Sequence, residues 1–297
     1  NQALDHGLAM GLLPGGKWNG IQPLLDLSPK IPPLASLVNG TIISLVGDHP
    51  NNASWSLSIW HGLLIFSIAG WGKYLKDNSF ALLSISLIVV TPALMQIRSD
   101  YVLEMPLTAS ISFALWRLSC WLDPKTGNQW IQAILAAIGC LSSILIKQSA
   151  LLILIPSLVI IFWIIIRRNQ KTKYQFITVI SLIAIGIYPW LKHNWITTIS
   201  GTNRAVFESA SREGDPNLFT IQNWIWYPKV IPTQIGLILI IIGLSGFFLL
   251  LIKDGVKNNI FMLTKHSGKR FGWKWLITSL IGSWIFTTIS PNKDIRY

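Results

Sequence analysis

Of 297 residues only 12% are charged and 51% are hydrophobic, about half the charge of an ordinary soluble domain, which excludes a soluble globular fold. Apolar runs of roughly 20 residues recur along the chain, each long enough to cross a bilayer, and the alternating ten-residue segments of a β-barrel are missing. The formal net charge of +12 raises nucleic acid as a partner, but its distribution assigns the excess to membrane topology, so no nucleic-acid partner is expected.

The chain opens at Asn1 in a polar stretch without a signal peptide, and it reads as a piece of a longer protein with membrane segments expected beyond both ends. Residues 1–52 read as an extracytoplasmic loop with interfacial helices. In it Asp5 and His6 precede a Gly/Pro-rich turn, Leu13-Pro14-Gly15-Gly16-Lys17, and the apolar stretch Pro32–Gly47 is short and broken by Asn39-Gly40-Thr41. A short apolar segment of this kind lies at the interface or dips partway in. Residues 53–297 form the membrane module, with helices predicted at 53–72, 79–97, 103–121, 128–146, 149–166, 175–196, 231–252 and 273–290 and an outer loop at 197–230. The fold class is thus all-α, a polytopic transmembrane helical bundle of about eight membrane helices. Cys120 and Cys140 fall inside predicted helices and are expected as free thiols in apolar surroundings.

Letting the chain alternate sides puts Lys73, Lys76, Arg117, Lys125, Arg167, Arg168, Lys171, Lys173 and the basic run from Lys253 to Lys274 on one side, against Asp77, Asp123 and Asp254. Lysine and arginine concentrate on the cytoplasmic side of membrane proteins, which names that side. Tryptophans such as Trp71, Trp121, Trp163, Trp190 and Trp273 stand near predicted helix ends, as an aromatic belt requires. The stretch Arg98–Leu107, the tract 1–52, the loop 197–230 and the tail from Pro291 then face outward. Nucleotide sugars are not expected on that face, so a membrane-borne substrate is. The localisation implied is a multi-pass protein of a bacterial inner (plasma) membrane with its site on the periplasmic or outer face.

Charges at the mouth of a membrane helix are costly and usually functional. Arg98, Asp100 and Glu104 lie between two apolar runs, and if the helix starts near Asp100 both carboxylates share one face. Glu104 and Asp100 are therefore the first candidates for acid/base chemistry, with Arg98 as tuning cation or bidentate phosphate ligand; a helix cap with an acidic first turn is the plain alternative. Lys147 stands between two predicted helices with almost no loop, either snorkelling or meeting a lipid phosphate. The tail brings Lys293 and Arg296 beside Tyr297, a setting for an anionic phosphate or for a solvated loop. In 197–230, Arg204 and the run Trp224-Ile225-Trp226-Tyr227 suit sugar or acceptor binding, or interfacial anchoring. Asp26, His49 and His193 face the same side, and nothing in their spacing marks a metal centre.

Three segments in order carry a resemblance: Lys30-Ile31-Pro32-Pro33-Leu34, the acid before Met105-Pro106-Leu107, and Lys293-Asp294-Ile295-Arg296-Tyr297. Together they resemble the GT-C membrane glycosyltransferases, specifically glycosyltransferase family 39 and the aminoarabinose-transferase-like group, which includes the protein O-mannosyltransferases. The resemblance runs from about Asn1 to Tyr297. It implies a helical bundle that takes a sugar from a polyprenyl-phosphate carrier on the extracytoplasmic face and passes it to a lipid, glycan or protein acceptor. An outer carboxylate serves as general base and cations hold the departing phosphate. Glu104 occupies the place of an aspartate that the family often carries before a Pro-Leu pair. Asp5 stands as a late part of the acidic first loop, and Lys30 takes a place where some members have a metal- or phosphate-linked acid or histidine. Lys30 there implies a phosphate contact. No cofactor follows with certainty, and a divalent metal stays open. Arg296 and Tyr297 match the carrier-binding close. The competing reading is a lipid or polyol transporter or flippase, which should bury charges near the midplane and often shows repeats or broken helix pairs; here the charges gather at the outer ends.

Overall fold

The computed structural model describes residues 2–47, 49–100, 102–167, 170–253 and 268–293. Among these the chain is all-helical, with no strand. The first tract folds as α1 (Gln2–Ala9), α2 (Ile21–Asp26) and α3 (Leu34–Val46). Then come α4 (Pro50–Leu75), α5 (Asn78–Val89), α6 (Pro92–Ser99), α7 (Glu104–Leu122), α8 (Gln129–Ile146) and α9 (Ala150–Ile166). The last part holds α10 (Gln170–Asn203), α11 (Ser209–Glu213), α12 (Ile221–Ile235), α13 (Leu237–Lys253) and α14 (Gly268–Ile289).

Local chemistry sets several starts. Asp77 accepts the Phe80 N–H at 2.8 Å and opens α5, and Asn128 accepts the Trp130 N–H at 2.9 Å and opens α8, the side-chain caps that satisfy otherwise orphaned donors. Pro92 is the first residue of α6, where its missing N–H costs nothing.

The centre of the bundle is the antiparallel pair α7 and α8, in register over its length. Arg117 Nη1 donates to Gln132 Oε1 (3.2 Å) at one end, Gly139 meets Ala114 in the middle, and Lys147 reaches Glu104 at the other. A Cβ on Gly139 would lie 2.8 Å from Ala114 Cα, so only glycine permits this approach. Ala109, Ala114, Ala133, Ala136 and Ala137 are buried along the seam, the small residues by which helices in lipid draw together. Around the pair, Trp121 Nε1 donates to Gln175 Oε1 of α10 (3.0 Å), Trp275 Nε1 of α14 to Leu115 O (3.1 Å), and the Ser157 and Ser279 hydroxyls join α9 to α14 (3.2 Å). Asn39 of α3 accepts the indole N–H of Trp60 at 2.9 Å and fixes α3 to α4. Both cysteines are free and buried.

The predicted alternation is visible in which ends meet. Tyr74 O–H donates to Asp123 Oδ2 (3.1 Å), Gln175 sits under Trp121, and Gly272 lies against Tyr74 and Leu75. The turns after α4 and α7 and the starts of α10 and α14 thus share one end. The starts of α7 and α9, the end of α8 and the later part of α10 share the other, with the first tract.

Two expectations change and one is met in part. Among the described residues Gln129–Ile146 and Gln170–Glu213 are long and apolar enough to cross a membrane, or up to four spans if each bent pair counts as one, so length and composition alone do not confirm the expected eight or so. Leu34–Val46, Ala150–Ile166 and Trp275–Ile289 are apolar but shorter, α4 carries His61 and several Asn and Ser residues, and α7 carries Glu104 and Arg117. The predicted helix 79–97 is two helices bent by 68°, and that at 231–252 belongs to a pair bent by 103°. The breaks fall at Thr91-Pro92 and at Gly236, whose φ of 94° belongs to glycine. Finally, 197–230 is no open loop: α10 continues through a π-turn at Arg204–Glu208 into α11, and α12 begins at Ile221.

Candidate active site

Glu104 begins α7, where the helix dipole favours a carboxylate. Lys147 closes α8 in extended conformation, φ −156° and ψ 132°, which turns its stem back over the bundle end. Its Nζ lies 3.0 Å from Glu104 Oε1, and the carboxylate is almost buried, at 4% exposure. Two residues 43 apart in sequence thus become one neutralised pair, the arrangement that lets charges stay at a largely desolvated site. The next residue, Gln148, donates from Nε2 to the Lys30 carbonyl at 2.6 Å. Lys30 Cγ lies 4.0 Å from where a Cβ on Gly201 would stand. Lys30, the end of α8 and the later part of α10 are therefore one neighbourhood, and the Lys30 side chain is exposed.

Ser149 follows immediately. Its Oγ is buried without a hydrogen-bond partner and lines a cavity of about 150 Å³ together with Leu107, Thr108, Ile111, Ser112, Leu152, Ile153 and Thr287. Leu107 and Thr108 lie one turn beyond Glu104 on α7, so an apolar cleft edged by hydroxyls lies one turn further along the helix than the ion pair. That pairing of a charged head and a greasy slot fits an amphiphile.

A second polar group fastens the first tract to α10. His193 Nε2 meets Asp26 Oδ1 at 2.6 Å, and Gln22 Nε2 donates to His193 Nδ1 at 2.9 Å. Trp190 Nε1 donates to Ser28 O (2.8 Å) and Asn194 Nδ2 to Leu25 O (3.2 Å). His6 is fully buried: its Nδ1 donates to Gln2 O (2.7 Å), which leaves Nε2 to accept the Ser28 hydroxyl (3.2 Å). Asp26 and His193 together offer two ligands, and among the described residues no three His, Cys, Asp or Glu side chains gather; the pair reads as a fastening of α2 to α10.

The remaining candidates separate. Asp100 caps the end of α6 with φ −81° and ψ 131° and is exposed. Since α7 starts only at Glu104, the two carboxylates do not share a helical face, contrary to the expectation from spacing. Arg98 is exposed in the last turn of α6, within electrostatic range of His61. Asp5 is exposed on α1. Arg204 lies 3.9 Å from Glu208, which also meets Arg212 at 3.5 Å. Trp226 packs edge-on to Tyr227, with ring centroids 4.8 Å apart, and Tyr227 is buried at 7% exposure. Lys293 is buried too, its Nζ donating to Thr288 O (2.6 Å) and Ser290 O (2.5 Å), 5.7 Å from the Tyr227 ring, while its N–H donates to Asp215 Oδ2 (2.8 Å). The amine thus caps the carbonyl end of α14, and burial pulls its pKa from 10.5 to about 8. Arg296 and Tyr297 lie outside the described residues.

Sequence reasoning passed over Gln148, Ser149 and Gln22. Adjacency to Lys147 in a break between two apolar runs was a usable signal for the first two. Nothing in the chain pointed to Gln22, whose partner is 171 residues away.

No curated protein and no solved structure matches the chain. The family model of dolichyl-phosphate-mannose-protein mannosyltransferases matches residues 36–199, which takes in α4 to α9, most of α3 and α10, and both partners of the Glu104–Lys147 pair. Members are integral membrane glycosyltransferases that use polyprenyl-phosphate-linked sugar donors, which agrees with the all-helical, apolar bundle. On more than half its length, the chain belongs to the dolichyl-phosphate-mannose-protein mannosyltransferase family.

Proposed function

We propose that this chain moves a sugar from a polyprenyl phosphate to an acceptor hydroxyl on the extracytoplasmic face, at the bundle end where Glu104 meets Lys147. The bundle is inserted as a multi-pass module of about eight spans, the bent and shorter helices completing those that pass by length. Residues 1–52 form the outer tract, and the membrane is a bacterial plasma membrane. The observation that carries the reading is the pair of buried Glu104 with half-buried Lys147 at 3.0 Å, one turn from the cleft edged by Ser149, within the matched stretch of the family.

The chemistry follows from competition for one cation. A lipid phosphate arriving at the bundle end draws Lys147 toward itself, aided by the exposed Lys30 and Arg98 and by Arg296 and Tyr297 of the tail. Lys293 itself is taken up in capping the carbonyl end of α14. Lys147 then releases Glu104 Oε1, and Glu104 serves as the base. The acceptor oxygen attacks the anomeric carbon, the bond from that carbon to the phosphate oxygen breaks, the acceptor proton passes to Glu104, and the polyprenyl phosphate departs as an anion held by the cations. Asp100 and Asp5 are the further carboxylates of this face, while Arg204, Trp226 and Tyr227 belong to the acceptor side.

The test is sugar transfer by the full chain in membranes, offered polyprenyl-phosphate donors carrying different sugars. Glu104→Gln keeps the side-chain size and removes the base, so transfer per folded protein, counted by donor binding and a single elution peak, should fall by about 100-fold or more. Wild-type turnover in that variant would remove Glu104 from the mechanism.

A further inference from the structure

At the opposite end of the bundle, α4 and α5 form a hairpin that is tight at its turn and open above it. Gly72 lies against Ala81, where a Cβ would stand 2.8 Å from Ala81 Cα. Further along, the two helices part. Trp116 of α7 presses against Gly70 so closely that a Cβ would overlap the indole, and Phe66 turns edge-on to that indole, with ring centroids 5.4 Å apart. The space left between the helices is a groove of about 340 Å³, walled by Phe66, Ala69, Ala81 and Ile85, with Lys73 and Asn78 at the turn end. From Phe66 to Lys73 the helix rises about 10 Å.

The groove is apolar along its length and cationic at one end. Lys73 is exposed and makes no hydrogen bond or ion pair among the described residues. The neighbouring carboxylate, Asp77, is engaged in capping α5 through the Phe80 N–H. Lys76 adds a second positive charge in the same turn. A short apolar slot that begins at an uncommitted ammonium matches one kind of molecule: a lipid with an anionic phosphate head at the interface and a hydrocarbon chain directed toward the midplane. A neutral lipid would fill the slot equally well but leave Lys73 without a counter-charge, and basic groups at this depth attract anionic headgroups.

We infer that the α4–α5 groove binds an anionic phospholipid from the leaflet at the Lys73 end, its phosphate on Lys73 and Asn78 and one acyl chain along Ala69 and Ile85. This site lies at the other end of the bundle from Glu104, and it is a lipid-binding site apart from donor capture.

The experiment is native mass spectrometry of the full chain released from detergent micelles after incubation with phosphatidylglycerol or with phosphatidylcholine of the same acyl chains. Wild type should retain one phosphatidylglycerol at about fivefold higher occupancy than phosphatidylcholine, the preference that one interfacial lysine confers. Lys73→Gln should bring the two lipids level, and Ala69→Phe, which fills the slot, should abolish retention of both. Lys125→Gln, in the exposed turn after α7 at the same end, should leave the preference intact. Equal retention by wild type, a preference that survives Lys73→Gln, full binding to Ala69→Phe, or an equal loss in Lys125→Gln would each overturn the assignment. Helix content by circular dichroism and a single elution peak confirm that each variant is folded.

Discussion

Glu104 is buried and meets the half-buried Lys147 at 3.0 Å, a setting that disfavours an uncompensated charge. Replacing one partner of a buried pair strands the other, at about 3–5 kcal/mol, whereas replacing both by neutral groups of similar size is often neutral. Lys147→Met should therefore destabilise the chain by roughly that amount, and the double variant Glu104→Gln/Lys147→Met should recover most of the loss. Unfolding in mild detergent against denaturant measures both, and a double variant as weak as the single one would mean that the pair is not what holds the bundle end. Lys293 makes a different prediction. Burial lowers its pKa from 10.5 to about 8, so between those values the unfolded chain holds a proton that the folded chain has lost. Stability from this group then rises with pH across that window and is flat below it. From pH 8 to pH 10 the melting temperature of wild type should rise relative to that of Lys293→Met, while a constant or falling difference (wild type minus variant) would contradict the burial of the amine. The sequence marked Glu104, Lys147 and Lys293 as unusual charges next to apolar runs. It was silent on what each would touch, because partners 43 and 78 residues away leave no periodic trace.

Among the helices, glycine decides how closely neighbours approach. Gly40 of α3 lies so near the Ala3 carbonyl of α1 that any Cβ would collide with it, and Gly7, one turn further along α1, meets Gly40 as well. Gly40→Ala should push α1 off α3 and expose the Gly/Pro-rich turn at 11–20. The measurable consequence is faster proteolytic cleavage within that turn, with the α7–α8 core unaffected; cleavage at the wild-type rate would show that α1 can shift without cost. In the sequence Asn39-Gly40-Thr41 interrupts an apolar stretch, because a glycine and two polar residues look like a break. In the structure all three lie within α3: Gly40 is the contact point, Asn39 holds Trp60, and Thr41 bonds back to Leu37 O at 2.9 Å. The converse holds at 197–230, where a segment expected as a loop carries helix. Its Arg, Glu and Gly residues suggested a loop, yet Arg204, Glu208 and Arg212 fall four apart on one face and support a helical continuation. The bend at Thr91-Pro92 was signalled by its proline, and that at Gly236 by its glycine, but hydropathy windows average across single residues and join the halves into one span.

For the whole molecule, the legible quantity was alternation. Apolar runs separated by short polar turns dictated which ends meet, and the contacts of Tyr74 with Asp123, of Trp121 with Gln175, and of Trp275 with Leu115 O agree. Span number was less legible, because helices shielded by neighbours need not be apolar all round, and α4 and α7 carry His61, Glu104 and Arg117 at positions that protein rather than lipid covers in part. Sidedness rests on the charge bias alone, since a bundle reads the same either way up. Single cysteines resolve it. Glu213 is exposed at the end of α11 and Lys125 is exposed in the turn after α7, and the native Cys120 and Cys140 are buried, so background labelling should be low. In intact cells a membrane-impermeant maleimide should label Glu213→Cys and leave Lys125→Cys untouched until the membrane is permeabilised. The reverse pattern would put the Glu104–Lys147 pair in the cytoplasm, where the proposed donor geometry fails. Labelling of both before permeabilisation would mean that the chain does not insert as a continuous bundle. Positive residues are retained on the cytoplasmic side during insertion, so adding lysines to the 197–230 segment should erode the labelling of Glu213→Cys before it alters the fold.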